Sequence, residues 1–271
     1  MGAFASTEED ALANPYIVEE RNAKPAVLAP WPGMQPQAAP VAKVKPLLFI
    51  PLGRDVVRDS WVFNGFADII GQGWPRIKTE ANATDIQRNQ GAQALLNAPP
   101  EFNALVMLDA DHRHPPEVVR MLVQALEEKP DAGMIVAINY RRRQPYDPCV
   151  WIERGGEVYQ PITWDQTFIG PLFRTGMSAV IIPRRTLELV PRPWFANTYT
   201  VAPDGKEIVY KREDFYFSDK VRKAGLELWA DGRIPASPHE PNLPGWIDGQ
   251  WWKSYIAKNP KLVAETLPQE T

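Results

Sequence analysis

A chain of 271 residues with 44% hydrophobic and 10% aromatic content holds enough apolar material for a substantial core, which excludes a compositionally disordered protein. Its formal net charge of −3 gives no global pull toward nucleic acid or an anionic membrane, so any polyanion contact must be local. The single cysteine, Cys149, excludes an intrachain disulfide and a cysteine zinc cluster, and it fits a reducing compartment, with cytoplasm the expected location.

No run approaches the roughly 18 consecutive apolar residues of a membrane-spanning helix. The N-terminus lacks the basic region and apolar block of a signal peptide, so neither an anchor nor a leader is expected. Pro25, Pro30, Pro32, Pro36, Pro40 and Pro46 punctuate an alanine-rich stretch, and residues 1–44 read as an extended arm. An ordered domain is expected over 45–245. A tail follows over 246–271, where Trp251, Trp252, Tyr255 and Ile256 suit an amphipathic helix.

Leu47-Leu48-Phe49-Ile50 is a short apolar run between prolines, closed by Gly53, and predicts a buried strand. A helix suits Ser60 to Ile70, and a second strand falls near Ile77. Thr84 or Asp85 can cap a helix that runs through Ile86, Leu95 and Leu96 to the stop at Pro99-Pro100. Ala104 to Asp109 is the clearest strand. Pro115 and Pro116 open a helix whose Val118, Leu122, Ala125 and Leu126 share one face before Lys129-Pro130 ends it. Met134 to Ile138 is another buried strand. This alternation predicts βαβ units: a Rossmann-like α/β fold with a mainly parallel central sheet and helices on both faces.

After Arg143 the rhythm changes to shorter β-like pieces, Val150-Trp151-Ile152 and Ala179-Val180-Ile181-Ile182, and a short helix near Thr186 to Val190. A hairpin turn suits Pro203-Asp204-Gly205, and a helix spans about Phe215 to Ala224. This half reads as a mixed region built on the edge of the first sheet.

The strongest chemical signal is Leu105-Val106-Met107-Leu108-Asp109-Ala110-Asp111, a hydrophobic strand running into two carboxylates one residue apart. Period-two geometry can aim both to one side. In an open α/β sheet the carboxyl ends of the strands line the ligand crevice, where a divalent cation, Mg2+ or Mn2+, could join two repelling acids to a diphosphate. The same acids also suit a plain turn that caps the helix near Pro115, and an Asp-x-Asp alone does not separate the two.

Further pieces follow in order. Arg88-Asn89 lies on the helix before the acidic strand, and Thr175-Gly176-Met177-Ser178-Ala179 precedes an apolar strand. Glu213-Asp214-Phe215-Tyr216-Phe217 leads a helix ending at Gly225, followed by Leu228-Trp229-Ala230-Asp231 and His239. In this order and spacing, from about Leu47 to His239, the chain resembles the GT-A glycosyltransferases, especially the inverting family related to cellulose and chitin synthases. Small soluble members of that kind also resemble transferases of bacterial viruses. The resemblance implies a metal-dependent transfer of sugar from a nucleotide-sugar donor to a hydroxyl acceptor, with the mixed half on the acceptor side. It implies Asp109, Asp111 and His239 as metal ligands, with Asp109 also near the ribose. It further implies Asp214 as general base, Glu213 supporting it or the acceptor, and Arg88 and Gly176 contacting the donor. The strand-one pattern is loose in Ile50-Pro51-Leu52-Gly53-Arg54, and the synthases' membrane helices and product-binding motif are absent, which argues against polymer extrusion.

Other residues carry blander expectations. His112 and His114 read as capping or solvating the helix start, Arg141-Arg142-Arg143 as a solvated loop that a phosphate or acceptor could reach, and Trp151, Trp164 and Trp229 as packing. The acceptor is a saccharide or, less in keeping with the charge, a hydroxylated base in DNA. Two rivals remain: a sugar-phosphate nucleotidyltransferase, for which Gly53-Arg54 is a poor phosphate loop, and a non-catalytic carbohydrate- or nucleic-acid-binding module.

Overall fold

The strand Ala104–Leu108 is buried along its whole length, and its side chains alternate between two cores. Leu105 and Met107 enter one apolar cluster, while Ala104, Val106 and Leu108 enter the other. A strand buried on both faces needs cover on both, and the rest of the chain supplies it. The computed structural model describes residues 27–28, 43–51, 66–77, 79, 83–141, 147–159, 169–201, 207–238, 254, 257 and 258.

In chain order the first half contributes β1 (Val27–Leu28), β2 (Pro46–Phe49), α1 (Phe66–Gly71), β3 (Arg76–Ile77), α2 (Thr84–Asn97), β4 (Ala104–Leu108), β5 (His112–Arg113), α3 (Val118–Glu128) and β6 (Met134–Asn139). The second half adds β7 (Val150–Arg154), β8 (Glu157–Tyr159), β9 (Ile169–Leu172), β10 (Arg174–Thr175), β11 (Ala179–Pro183), α4 (Arg184–Leu189), β12 (Thr198–Val201), β13 (Glu207–Lys211), α5 (Glu213–Lys223) and β14 (Leu228–Pro238).

The main sheet has the order β1-β3-β2-β4-β11-β6-β14-β5, with β9 on β14. β2 pairs in parallel with β3 and β4, β14 pairs in parallel with β6, and β11 lies antiparallel between β4 and β6. β3, β2, β4, β6 and β14 therefore point the same way around one reversed strand, a mixed α/β fold with a mostly parallel central sheet. Ala92, Ala94 and Leu95 of α2, Leu187 of α4, and Phe217 and Val221 of α5 pack on one face; α1 and α3 pack on the other. Smaller sheets, β10-β7-β8 and the β12-β13 hairpin, stand apart from it. Val27–Leu28, within the segment read as an arm, pairs antiparallel with β3.

The chain leaves β2 toward β3 and leaves β4 toward β6, so the strand order reverses between β2 and β4. In open α/β sheets ligands bind outside the carboxyl ends of the strands at such a reversal. Two expectations need correction here. α2 begins at Thr84 with Ala83 as its N-cap and no side-chain cap bond, so Thr84 and Asp85 sit inside the first turn, where Asp85 faces the positive end of the helix. The acidic strand ends at Leu108, one residue early, and Asp109 to Asp111 form a turn in which His112 N donates to Asp109 O at 3.2 Å. The turn, not the pleat, brings the two acids together.

Candidate active site

Gly91 fixes the approach of α2 to the sheet: a Cβ there would meet Phe49 Cδ1 at 2.8 Å. One turn earlier, this close contact brings Arg88 over the carboxyl end of β4. Arg88 is 2% exposed. Its Nη2 donates to Asp109 Oδ1 at 2.8 Å, and Nη1 and Nη2 donate to Met177 O at 3.2 and 3.3 Å. Its Nε faces Glu213 Oε1 at 3.5 Å, too long to satisfy the donor. The guanidinium expected to meet a nucleotide is thus engaged inside the protein, joining the turn after β4, the segment before β11 and α5. Asn89, beside it, holds the Trp194-Phe195 loop by accepting from both backbone amides and donating to Phe195 O.

Asp109, Asp111 and His112 offer ligand atoms that all lie within 4.8 Å of one another. His112 Nδ1 is 2.8 Å from Asp111 Oδ1, and His114 Nε2 is 3.0 Å from Asp109 O. Both rings are buried, His114 also edge-on to Phe66, which corrects the expectation that they cap or solvate the start of α3. Burial pushes His112 down to about 4 and His114 down to about 3, so both are neutral at pH 7 and each keeps a nitrogen lone pair. This acidic cluster could bind a divalent cation.

Across Arg88 stands the first turn of α5, which contains Glu213 and Asp214. The helix is anchored by Asp219, whose carboxylate takes Arg174 Nε at 2.7 Å, Arg174 Nη2 at 3.0 Å and the Lys211 ammonium. Asp214 is pushed up to about 6, first by burial and next by the charge of Glu213; Arg88 and the Phe215 amide, 2.8 Å from Oδ1, pull the other way, and Asp109 adds a weaker push. Asp214 thus shares the electrostatic neighbourhood of the acidic cluster. Trp151 lies edge-on to Phe215 with ring centroids 4.6 Å apart.

Gly176 sits on the same edge, its amide donating to Cys149 O at 2.8 Å. The space a Cβ would occupy there is taken by the Asn139 carboxamide, at 3.1 and 3.3 Å, and by Cys149 Cβ at 3.2 Å. Burial pushes the Cys149 thiol up to about 12, with smaller influences from Arg141, Asp147 and Asp214, so it is not a thiolate nucleophile at neutral pH.

Of the residues that sequence reasoning singled out, Arg88, Asp109, Asp111, Gly176, Glu213 and Asp214, the structure joins Arg88 to Asp109, to Glu213 and, through Met177 O, to the residue after Gly176, and places Asp111 beside Asp109. Sequence reasoning misjudged His112, which is buried rather than solvated. Arg141 pairs with Asp147 at 3.2 Å and is half exposed. Trp229 lies at the opposite end of the sheet, under Lys129. Arg142, Arg143, Trp164, the Pro203-Asp204-Gly205 turn, His239 and the tryptophans of the 246–271 tail lie outside the described residues. The residue before His239, Pro238, is the register partner of His112. No helix among the described residues is long and apolar enough to cross a membrane.

No protein-family model matches the chain, and no curated protein matches it. Among solved structures it is similar to the crystal structure of A197 from STIV, at 19% identity and a TM-score of 0.47, covering 72% of this chain and 86% of that one.

Proposed function

We propose that this chain is a metal-dependent glycosyltransferase of the GT-A type that moves a sugar from a nucleoside-diphosphate donor to a hydroxyl acceptor, with inversion at the anomeric carbon. The observation that carries the reading is the meeting, at one edge of one sheet, of a cation-type donor set with a carboxyl of raised basicity. Each alone has a plain structural explanation. Acids favour turns, and Glu213 and Asp214 suit the positive end of α5 by only about 0.3–1 kcal/mol. Capping does not account for an aspartate pushed up to about 6 by burial and by the Glu213 charge. Such pairings are what acid–base chemistry next to a metal requires.

The donor set fits magnesium or manganese. Two carboxylates and a neutral imidazole are acceptable ligands, and their candidate donor atoms all lie within 4.8 Å of one another. When bound, the cation would neutralise charge developing on the departing diphosphate. His239, outside the described residues, is a further candidate ligand by the family resemblance alone.

Asp214 removes the proton of the acceptor hydroxyl as that oxygen bonds to the anomeric carbon from the face opposite the diphosphate. The carbon–oxygen bond to the diphosphate breaks, and its electron pair leaves with the phosphate oxygen. Asp214 is a stronger base than an ordinary aspartate and remains mostly ionised at pH 7, which suits this step. Glu213 maintains that basicity, and Arg88 positions Asp109. A saccharide acceptor fits the net charge of −3 better than DNA does.

The test is donor hydrolysis, with water replacing the acceptor. Incubation with a panel of nucleotide sugars and Mn2+ is expected to release nucleoside diphosphate, and Asp111→Ala to abolish the release. Pyrophosphate exchange with a sugar phosphate would support a nucleotidyltransferase instead. Binding without turnover, with or without acceptors, would support a binding module.

A further inference from the structure

β12 and β13 form a two-stranded sheet that pairs with no other strand among the described residues. Such a hairpin is marginal alone, and its two feet are held by the elements that carry the candidate site. On the β12 side, Asn89, the neighbour of Arg88, binds the backbone of Trp194 and Phe195, and the Phe195 and Phe217 ring centroids lie 4.5 Å apart. On the β13 side, the Lys211 ammonium meets the Asp219 carboxylate, and Arg212 O accepts Tyr216 N at 2.9 Å as α5 begins. The hairpin thus rises directly from the start of the helix that bears Glu213 and Asp214.

Just above the feet the ribbon changes aim. Thr198 is in register with Lys211 and Tyr199 with Val209, so Tyr210 of β13 is left without a register partner, a β-bulge. Bulges increase the local twist and re-aim the side chains around them. Past this one, Tyr199 is 56% and Val201 70% exposed. Strand alternation puts the two on one face of β12. Among the described residues the other exposed large hydrophobics, Val158, Ile169 and Leu189, each lie on a separate element.

The size of the patch selects its occupant. A covered tyrosine buries about 150–250 Å², whereas each side of a stable protein interface buries about 800 Å². The patch is therefore too small for a second copy of the chain or another protein, and fits a small ligand with a flat apolar face. A pyranose ring has that form, with C–H bonds on its face and hydroxyls around its rim, so it can stack on an aromatic ring while its polar groups stay in water. The chain from Val209 to Asp214 spans at most about 18 Å, and Tyr199 stands one strand spacing, about 5 Å, to the side. An oligosaccharide can bridge that interval. We propose that Tyr199, backed by Val201, is a stacking platform for a sugar unit of a saccharide acceptor, away from the hydroxyl that meets Asp214; its identity as an acceptor site rests on the transferase reading above.

The probes are cellopentaose, chitopentaose and maltopentaose, titrated calorimetrically into the full chain. One of them is expected to bind. Tyr199→Ala is expected to weaken that sugar about tenfold, the scale of one lost aromatic contact, while Tyr199→Phe, which keeps the ring, stays within about twofold. Val158→Ala, which trims an exposed hydrophobic of the separate β10-β7-β8 sheet, is expected to leave the affinity unchanged. Absence of pentasaccharide binding, undiminished affinity in Tyr199→Ala, or an equal loss in Tyr199→Phe or Val158→Ala overturns the platform. Donor hydrolysis by the unmodified protein separates this outcome from failure of the transferase reading. Saccharide binding through Tyr199 without release of nucleoside diphosphate keeps the platform and removes the transferase, and release without saccharide binding does the reverse.

Discussion

The two ends of the central sheet each hold an arginine from a helix, and they use it in opposite ways. At the amino ends of the strands Arg184 donates to the carbonyls of Phe102, Leu96, Ala98 and Pro99, closing the last turn of α2, while Arg185 and Thr186 donate to Ala132 O and Gly133 O. At the carboxyl ends Arg88 is shared between a carbonyl and two acids, and its Nε is left over. The first edge is completed by folding. The second collects like charges and unmatched polar atoms, an arrangement that gains most from a ligand.

Substitutions that exchange these two behaviours test the contrast. The largest effect is expected at Asp214: Asn there should reduce transfer about 10²–10⁴-fold, measured as nucleoside diphosphate release. The same change should stabilise the metal-free protein. An aspartate pushed up to about 6 keeps its proton in the folded state to higher pH than in the unfolded chain, so its contribution is full below about 3.8 and is lost as pH rises through 6. Removing the charge should recover up to about 3 kcal/mol at pH 7, read by denaturant unfolding, with no gain at pH 3. A variant that is inactive and also less stable at pH 7 would contradict the crowded-charge description.

Arg184→Ala should show the inverse pattern. Stripping carbonyls of a charged donor should cost about 1.5–3 kcal/mol, while turnover per folded molecule stays unchanged. Loss of turnover in the folded fraction would mean the two edges are not independent. The smallest effect is expected at Glu213: Gln removes a neighbouring negative charge, so the acidic limb of the pH–rate profile should move below 6 by less than about one pH unit. A move upward would break the assignment of that limb to Asp214.

Much of the fold was legible because its core strands are continuous apolar runs and α3 keeps one apolar face. Ala104–Leu108, Met134–Asn139 and Ala179–Pro183 lie where the patterns put them, within a residue or two. Short partners were not legible. His112–Arg113 and Arg174–Thr175 pair over two residues, and Leu228–Pro238 is an eleven-residue strand whose glycine and prolines conceal it. Arg88, Asp109, Asp111, Glu213 and Asp214 were singled out by order along the chain, yet nothing local told that Arg88 turns inward. The burial of His112 depends on β14, more than a hundred residues later, and could not be read from the neighbourhood of the acidic motif.

That distant pairing has a consequence for how readily the acidic turn accepts an ion. Ser237 and Pro238 clip onto Arg113 and His112, so the acidic turn is tethered on one side by β4 and on the other by the far strand. Little chain entropy is left to lose on coordination, and by mass action an ion bound there would tighten the same clip. Cation titration of variants in the last long strand would therefore read whether that strand is in register.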